Sequence, residues 1–215
     1  MKIWICAYRD WSLEIYNQIS KEFDNVELIE TKKEFERTTS LFQKEDVIFF
    51  LGWSWIIPDD IVEKYNCICL HPSPLPKYRG GSPLQHQIIN GESISAVTYF
   101  RMTDELDAGV ILFQEEFSLD GELKDVTNRI IPLGIRGIFI ILNNNMQERE
   151  QDISQSTCYK RRKPNESEIT LDEINNASAK QLYNKIRALQ DPYPNAYIKC
   201  NDGSKLYITK ASYEK

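Results

Sequence analysis

Apolar positions along the chain fall into short continuous runs separated by stretches of helical period. "KIWICAY" at 2–8, "DVIFFLGW" at 46–53 and "CICLH" at 67–71 are runs of strand length, of the kind that suits parallel strands covered on both faces. Between them, 12–23 and a stretch ending at 42 repeat at helical period, and 26–30 is predicted to be a second strand. Pro58, followed by Asp59 and Asp60, marks a helix start. Downstream the pattern predicts a helix at 83–91, strands at 95–102 and 109–119, and a long helix over 124–142 that ends at "NNN". A short helix at 179–189 and a hairpin over 196–211, turning at Asp202 and Gly203, complete the chain.

Strands separated by helix-sized segments predict an α/β fold, a doubly wound, mostly parallel sheet with a small C-terminal helix and β-hairpin. The polar segment "YKRRKPNESE" reads as a linker, so a main domain over 1–157 and an appendage over 158–215 are expected. In such sheets the ligand crevice lies beyond the carboxyl ends of the strands. Two loops fall there, "GWSWII" after the third strand and "HPSPLPKYRGGSP" after the fourth.

The second loop begins with one of only two histidines among the 215 residues. Alternation in an extended strand puts Cys67, Cys69 and His71 on one face. A buried strand that happens to end in His is the plain reading, and the loop argues against it. Pro72, Pro74 and Pro76 stiffen the backbone, Gly80 and Gly81 permit close approach of a ligand, and Lys77 and Arg79 stand ready for an anion. A base needs a partner to set its tautomer. Asp104 and Asp107 in "MTDELDAGVIL" are candidates, both also explicable as turn residues, and spacing does not choose between them.

Net charge is −6, the wrong sign for a protein whose main task is to hold nucleic acid by its phosphates. Five cysteines without paired CxxC spacing suggest free thiols in a reducing compartment. No apolar run reaches the length of a membrane span, and the N-terminus lacks a signal-peptide pattern, so no membrane partner and a cytoplasmic location are expected.

Together, "HPSPLPKYRGGSPLQHQIINGE" and "AVTYFRMTDELDAGVIL" resemble the formyltransferases that use N10-formyltetrahydrofolate, over about residues 52–112. The resemblance implies a Rossmann-like formyltransferase fold, with His71 matching the catalytic His and Asp107 the catalytic Asp. It further implies that the pterin of the co-substrate N10-formyltetrahydrofolate lies against Trp55, Ile56 and Ile57 and against the turn holding Thr103, Asp104 and Leu106. No metal is implied. The family's catalytic Asn, two residues before the His, is Cys69 here. A thiol is a weak donor to a developing oxyanion where an amide is a strong one.

Within the family, three branches compete. The tRNA enzymes are expected to carry a larger basic C-terminal domain. The glycinamide ribonucleotide enzymes have a Gly/Ser-rich loop after the first strand, where this chain has "AYRDWSLEIY". The branch that formylates nucleotide-linked amino sugars resembles this chain in the tail, at "YKRRKP" and "IRALQDPYPNAYI". A dTDP-4-amino-4,6-dideoxyhexose, of the kind used in O-antigen biosynthesis, is the favoured acceptor, with GDP-perosamine as the alternative. A diphosphate gives a role to Lys77, Tyr78, Arg79, Gly80 and Arg9, although Arg9 also reads as a solvated surface charge. A homodimer is expected. Readings outside the family are a Cys69–His71 thiol hydrolase, a metal site at Cys67, Cys69 and His71, and a folate-binding module without catalysis. On a straight strand those three residues would spread over about 13 Å, too far for one ion.

Overall fold

Alternation along the buried strands decides which side of the central sheet each residue covers, and the computed structural model, which describes residues 1–214, follows it closely. The sheet contains β1 (Ile3–Ala7), β2 (Val26–Ile29), β3 (Val47–Leu51), β4 (Asn66–His71), β6 (Ile94–Arg101) and β7 (Ile111–Ser118) in the order β2-β1-β3-β4-β6-β7. The first four strands are parallel, and β6 runs antiparallel to both of its neighbours, β4 and β7. A mostly parallel sheet is therefore present, and its antiparallel edge is the part that short apolar runs do not specify.

One face gathers Ile3, Ile5, Val47, Phe49, Ile68 and Leu70 under α1 (Asp10–Glu22) and α5 (Leu123–Leu142). The other gathers Trp4, Cys6, Ile48, Phe50 and Cys67 under α2 (Lys32–Thr38) and α3 (Asp59–Lys64). Burial of this kind contributes about 25 cal/mol per Å² of apolar surface, so a one-residue slip in β1, β3 or β4 would turn both layers inside out. Pro58 caps α3 from just outside it rather than occupying its first turn.

Beyond β4 the chain forms a two-residue strand β5 (Arg79–Gly80) and α4 (Pro83–Ile89). The segment expected to be a linker supplies β8 (Cys158–Tyr159), which pairs in parallel with β5. A helix not expected from the sequence, α6 (Leu171–Asn176), starts at a capping box in which Thr170 and Glu173 each accept from the other's backbone amide. Then come α7 (Ala179–Ala188) and the hairpin of β9 (Ala196–Lys199) and β10 (Lys205–Ile208). This C-terminal segment has a small core of Ile169, Ile186, Leu189 and Ala196, while Ala188 joins the main core. Buried Arg187 ties it to the loop after β7 by donating to the carbonyls of Leu119 and Gly121.

Candidate active site

His71 closes β4 and is 6% exposed. Its Nε2 donates to the carbonyl of Tyr78 at 2.8 Å. A carbonyl can only accept, so Nε2 carries a proton and the neutral ring presents a lone pair at Nδ1. Nδ1 lies 3.6 Å from Oδ2 of Asp107. That same oxygen accepts from the backbone amide of Gly80 at 2.7 Å. The pair is thus held from both sides by one loop, through the carbonyl of residue 78 and the amide of residue 80.

Hydrogen bonds, as well as prolines, hold that loop rigid. Ser73 donates to the Lys77 carbonyl, Thr98 to Ser73, Gln87 to Pro72 and Gln114 to Leu75. The amide of Tyr78 donates to Thr157 on the far side of the chain. Gly80 has a φ of +91°, and a Cβ there would meet the Tyr159 carbonyl at 2.3 Å, so the pairing of β5 with β8 requires glycine. In the turn after β6, Gly109 passes so close to the Arg101 carbonyl that a Cβ would sit 1.7 Å from it.

The two carboxylates of that turn separate clearly. Asp104 is exposed, whereas Asp107 is turned inward in a left-handed conformation with φ of +50°. Gln151 steadies Asp107 by donating from Nε2 to the carbonyls of Asp107 and Gly109, and its Oε1 accepts from Nε and Nη2 of Arg79. Gln151 and Thr157 lie in stretches with no motif, so nothing in the sequence marks them as partners of this loop.

Several expected binding residues have other duties. Arg79 is 5% exposed and committed to Gln151 and Glu105, so it is not a free cation for a diphosphate. Lys77 lines a cavity of about 460 Å³ with Leu75, Gln114, Arg149 and Asp152, and neither His71 nor Asp107 borders it. Tyr78 is buried, stacks on Tyr159, and donates its hydroxyl to Glu92 at 2.7 Å. Burial, with Glu92 beside it, pushes that phenol up to about 12. Arg9 is not a solvated charge: its guanidinium lies over the rings of Tyr8 and Tyr193 and donates to Gly52 and Ser54.

The loop after β3 and the turn after β6 converge on the end of β4. Ile57 and Trp53 pack in one cluster with Cys69 and Met102, and the Met102 amide donates to the Cys67 carbonyl. Ile56 is 94% exposed, and Leu106 and Trp55 are exposed as well, so apolar side chains are accessible on both the loop after β3 and the turn after β6. Trp55 also packs against Trp53 and Tyr8.

Burial, with the charge of Asp107 adding to it, holds the Cys69 thiol well above the ordinary range. It is protonated at neutral pH, which removes the thiolate that a nucleophile requires. Among the described residues no three His, Cys, Asp or Glu side chains are grouped to hold a metal ion. Among the same residues no helix is long and apolar enough to cross a membrane.

Fold and site together define a doubly wound α/β domain with an imidazole–carboxylate pair at the carboxyl end of its parallel strands. The profile described as "Formyl transferase" matches residues 16–134, and "Formyl transferase, C-terminal domain" matches 165–215. The chain belongs to the formyl transferase family. A methionyl-tRNA formyltransferase of Rickettsia massiliae (strain Mtu5) is 36% identical over 174 residues, which are 78% of this chain and 56% of that protein. The chain thus spans little more than half the length of such curated relatives. A methionyl-tRNA formyltransferase from Clostridium thermocellum superposes with a TM-score of 0.88 at 29% identity, over 100% of this chain and 94% of that one. A 4-N formyltransferase from Francisella tularensis superposes at 0.75 with 23% identity, over 100% and 98%.

Proposed function

We propose that the chain transfers a formyl group from N10-formyltetrahydrofolate to the amine of a nucleotide-linked 4-amino-4,6-dideoxyhexose, with a thymidine diphosphate carrier favoured over guanosine diphosphate. The observation that carries the transfer chemistry is the fixed His71–Asp107 pair. As the new C–N bond forms, the acceptor nitrogen must lose a proton, and the departing nitrogen of the donor must gain one. With Nε2 committed to the Tyr78 carbonyl, Nδ1 of His71, which faces Asp107, is the ring nitrogen left to take a proton, and Asp107 stabilises the imidazolium that results. The Gly80 amide and Gln151 keep Asp107 in place while the proton moves. On this reading the donor's planar ring lies against the segment at 55–57 and the turn at 103–107, where the side chains of Trp55, Ile56 and Leu106 are apolar and exposed.

The net charge of −6 supports a small acceptor over a polyanion. A second reading, an aminoacylated tRNA, is favoured by the names of relatives such as the Rickettsia massiliae protein. Incubation with formyl donor and a panel of nucleotide-linked amino sugars, glycinamide ribonucleotide and methionyl-tRNA, followed by mass analysis, decides between them. A gain of one formyl group on a sugar is expected. Formylation of methionyl-tRNA or the ribonucleotide alone would keep the chemistry and remove the acceptor assigned here.

A further inference from the structure

A recess of about 40 Å³ lies where the C-terminal segment meets α4, walled by Ser82, Gln85, Arg162, Lys163, Ser167 and Tyr193. Two of its walls carry buried donors with nothing to donate to. Gln85 is 3% exposed, yet its Nε2 has no hydrogen-bond partner, and Nε of Arg162 is buried and unpartnered as well. Neighbouring polar atoms are already committed. The Arg162 amide donates to Ser82 Oγ at 3.2 Å, its Nη2 to the Glu166 carbonyl at 2.6 Å, and Ser167 Oγ to the Pro194 carbonyl at 3.0 Å. The Glu166 carboxylate accepts from the Lys163 amide. Buried donors are nearly always paired in native proteins, so these two call for an acceptor that the chain itself does not supply.

Charge selects the kind of acceptor. Burial pulls the Arg162 guanidinium below its ordinary range, partly offset by Glu166 and Glu173, so an anion placed there regains what burial removed. Volume selects its size, since the recess has room for the oxygens of one group and not for a base or a sugar. Position selects its role. Ser82 lies two residues beyond Gly80, at most about 7 Å of chain from the amide that holds Asp107. Tyr193, also in its wall, is the ring over which Arg9 lies, 5.2 Å from the ring centroid.

We propose that this recess is an oxyanion subsite in which Gln85 and Arg162 hold a phosphoryl oxygen of the acceptor's diphosphate while its amine lies at His71 and Asp107. The inference rests on the nucleotide-sugar reading above, and it moves the diphosphate away from Lys77 and Arg79 to the seam with the C-terminal segment.

Calorimetric titration of dTDP, thymidine and inorganic pyrophosphate into the full chain tests it, with Arg162→Met and the near-isosteric Gln85→Glu beside the wild type and circular dichroism to establish folding. Gln85→Glu keeps the volume and adds a repelling charge, so it carries the test if Arg162→Met does not fold. Pyrophosphate and dTDP should compete for the wild type, thymidine should bind far more weakly, and each folded variant should lose about tenfold or more in affinity. In turnover assays KM for the sugar should rise and KM for the formyl donor should not. Equal dTDP affinity in all folded proteins, or no binding of pyrophosphate because the recess holds only water, would overturn the subsite. A sugar formylated with unchanged KM in the variants would keep the transferase and overturn the subsite. Arg162-dependent pyrophosphate binding with no sugar formylated would keep the subsite and remove the sugar reading. Arg162-dependent binding of a tRNA acceptor minihelix without binding of dTDP would overturn the occupant named here.

Discussion

Nε2 of His71 donates to the carbonyl of Tyr78, seven residues further along the chain, at 2.8 Å. This one bond sets the tautomer, aims Nδ1 at Asp107, and closes the loop that also delivers the Gly80 amide. His71→Ala should therefore lower kcat by about 10²–10⁴-fold, the usual range for loss of a positioned base. His71→Gln, which can still donate to Tyr78, should preserve more of the thermal stability and none of the rate. Turnover near wild type in either variant, measured by formyl transfer, would remove His71 from the chemistry.

Asp107 and Asp104 stand three residues apart and should respond oppositely. Asp107→Asn removes the charge facing Nδ1 and should reduce kcat by orders of magnitude with little change in KM for the formyl donor. Asp104→Asn changes an exposed side chain in the turn assigned to the formyl donor, so its effect should fall on KM for that donor and leave kcat within about twofold. The reverse order in steady-state assays would move the carboxylate role to Asp104.

Iodoacetamide at neutral pH should label Cys158 and Cys200, which are exposed, and spare Cys69, whose thiol is held protonated by burial. Peptide mass mapping reads the outcome directly. Cys69→Ser should retain part of the activity, and Cys69→Asn should match or exceed the wild type by supplying an amide donor beside the reacting carbonyl. Complete inactivity of both variants, with alkylation of Cys69 abolishing turnover, would restore the thiol mechanism.

Asp46 provides a pH prediction away from the site. Burial alone would raise its pKa, but donation from the Lys2 amide, the Trp4 indole and the Gln43 amide outweighs that and lowers it. A folded-state value below the unfolded one means that the stabilisation is fully present above about pH 4 and is lost as pH falls through the folded value. Asp46→Asn should cost about 1.5–3 kcal/mol at pH 7, typical of hydrogen bonds to a charged group, and the difference from wild type should shrink in acid. Denaturant titrations at pH 7 and pH 3.5 check this, and a constant difference would show that the charge is irrelevant.

What the sequence determined by itself was whatever follows from local periodicity and backbone chemistry. Alternation in 3–7, 47–51 and 67–71 assigned each side chain to its face of the sheet, and the prolines and glycines after His71 marked a built loop at a strand end. The pairing of His71 with Asp107 was legible only through resemblance, because spacing along the chain says nothing about which of two turn carboxylates points inward. Tertiary structure made that choice, by giving Asp107 a left-handed backbone and an amide partner in Gly80. It also reassigned the cations. Arg79 resembled an anion binder in "KYRGG", yet Gln151, from a segment with no motif at all, folds over it and binds its guanidinium. Arg162 lay in a stretch whose polarity suggested a free linker, and the pairing of β8 with β5 carries it into a recess beside α4. Local chemistry sets what a residue can do, but a partner 72 positions away in sequence, as Gln151 is from Arg79, is supplied only when the whole chain closes on itself.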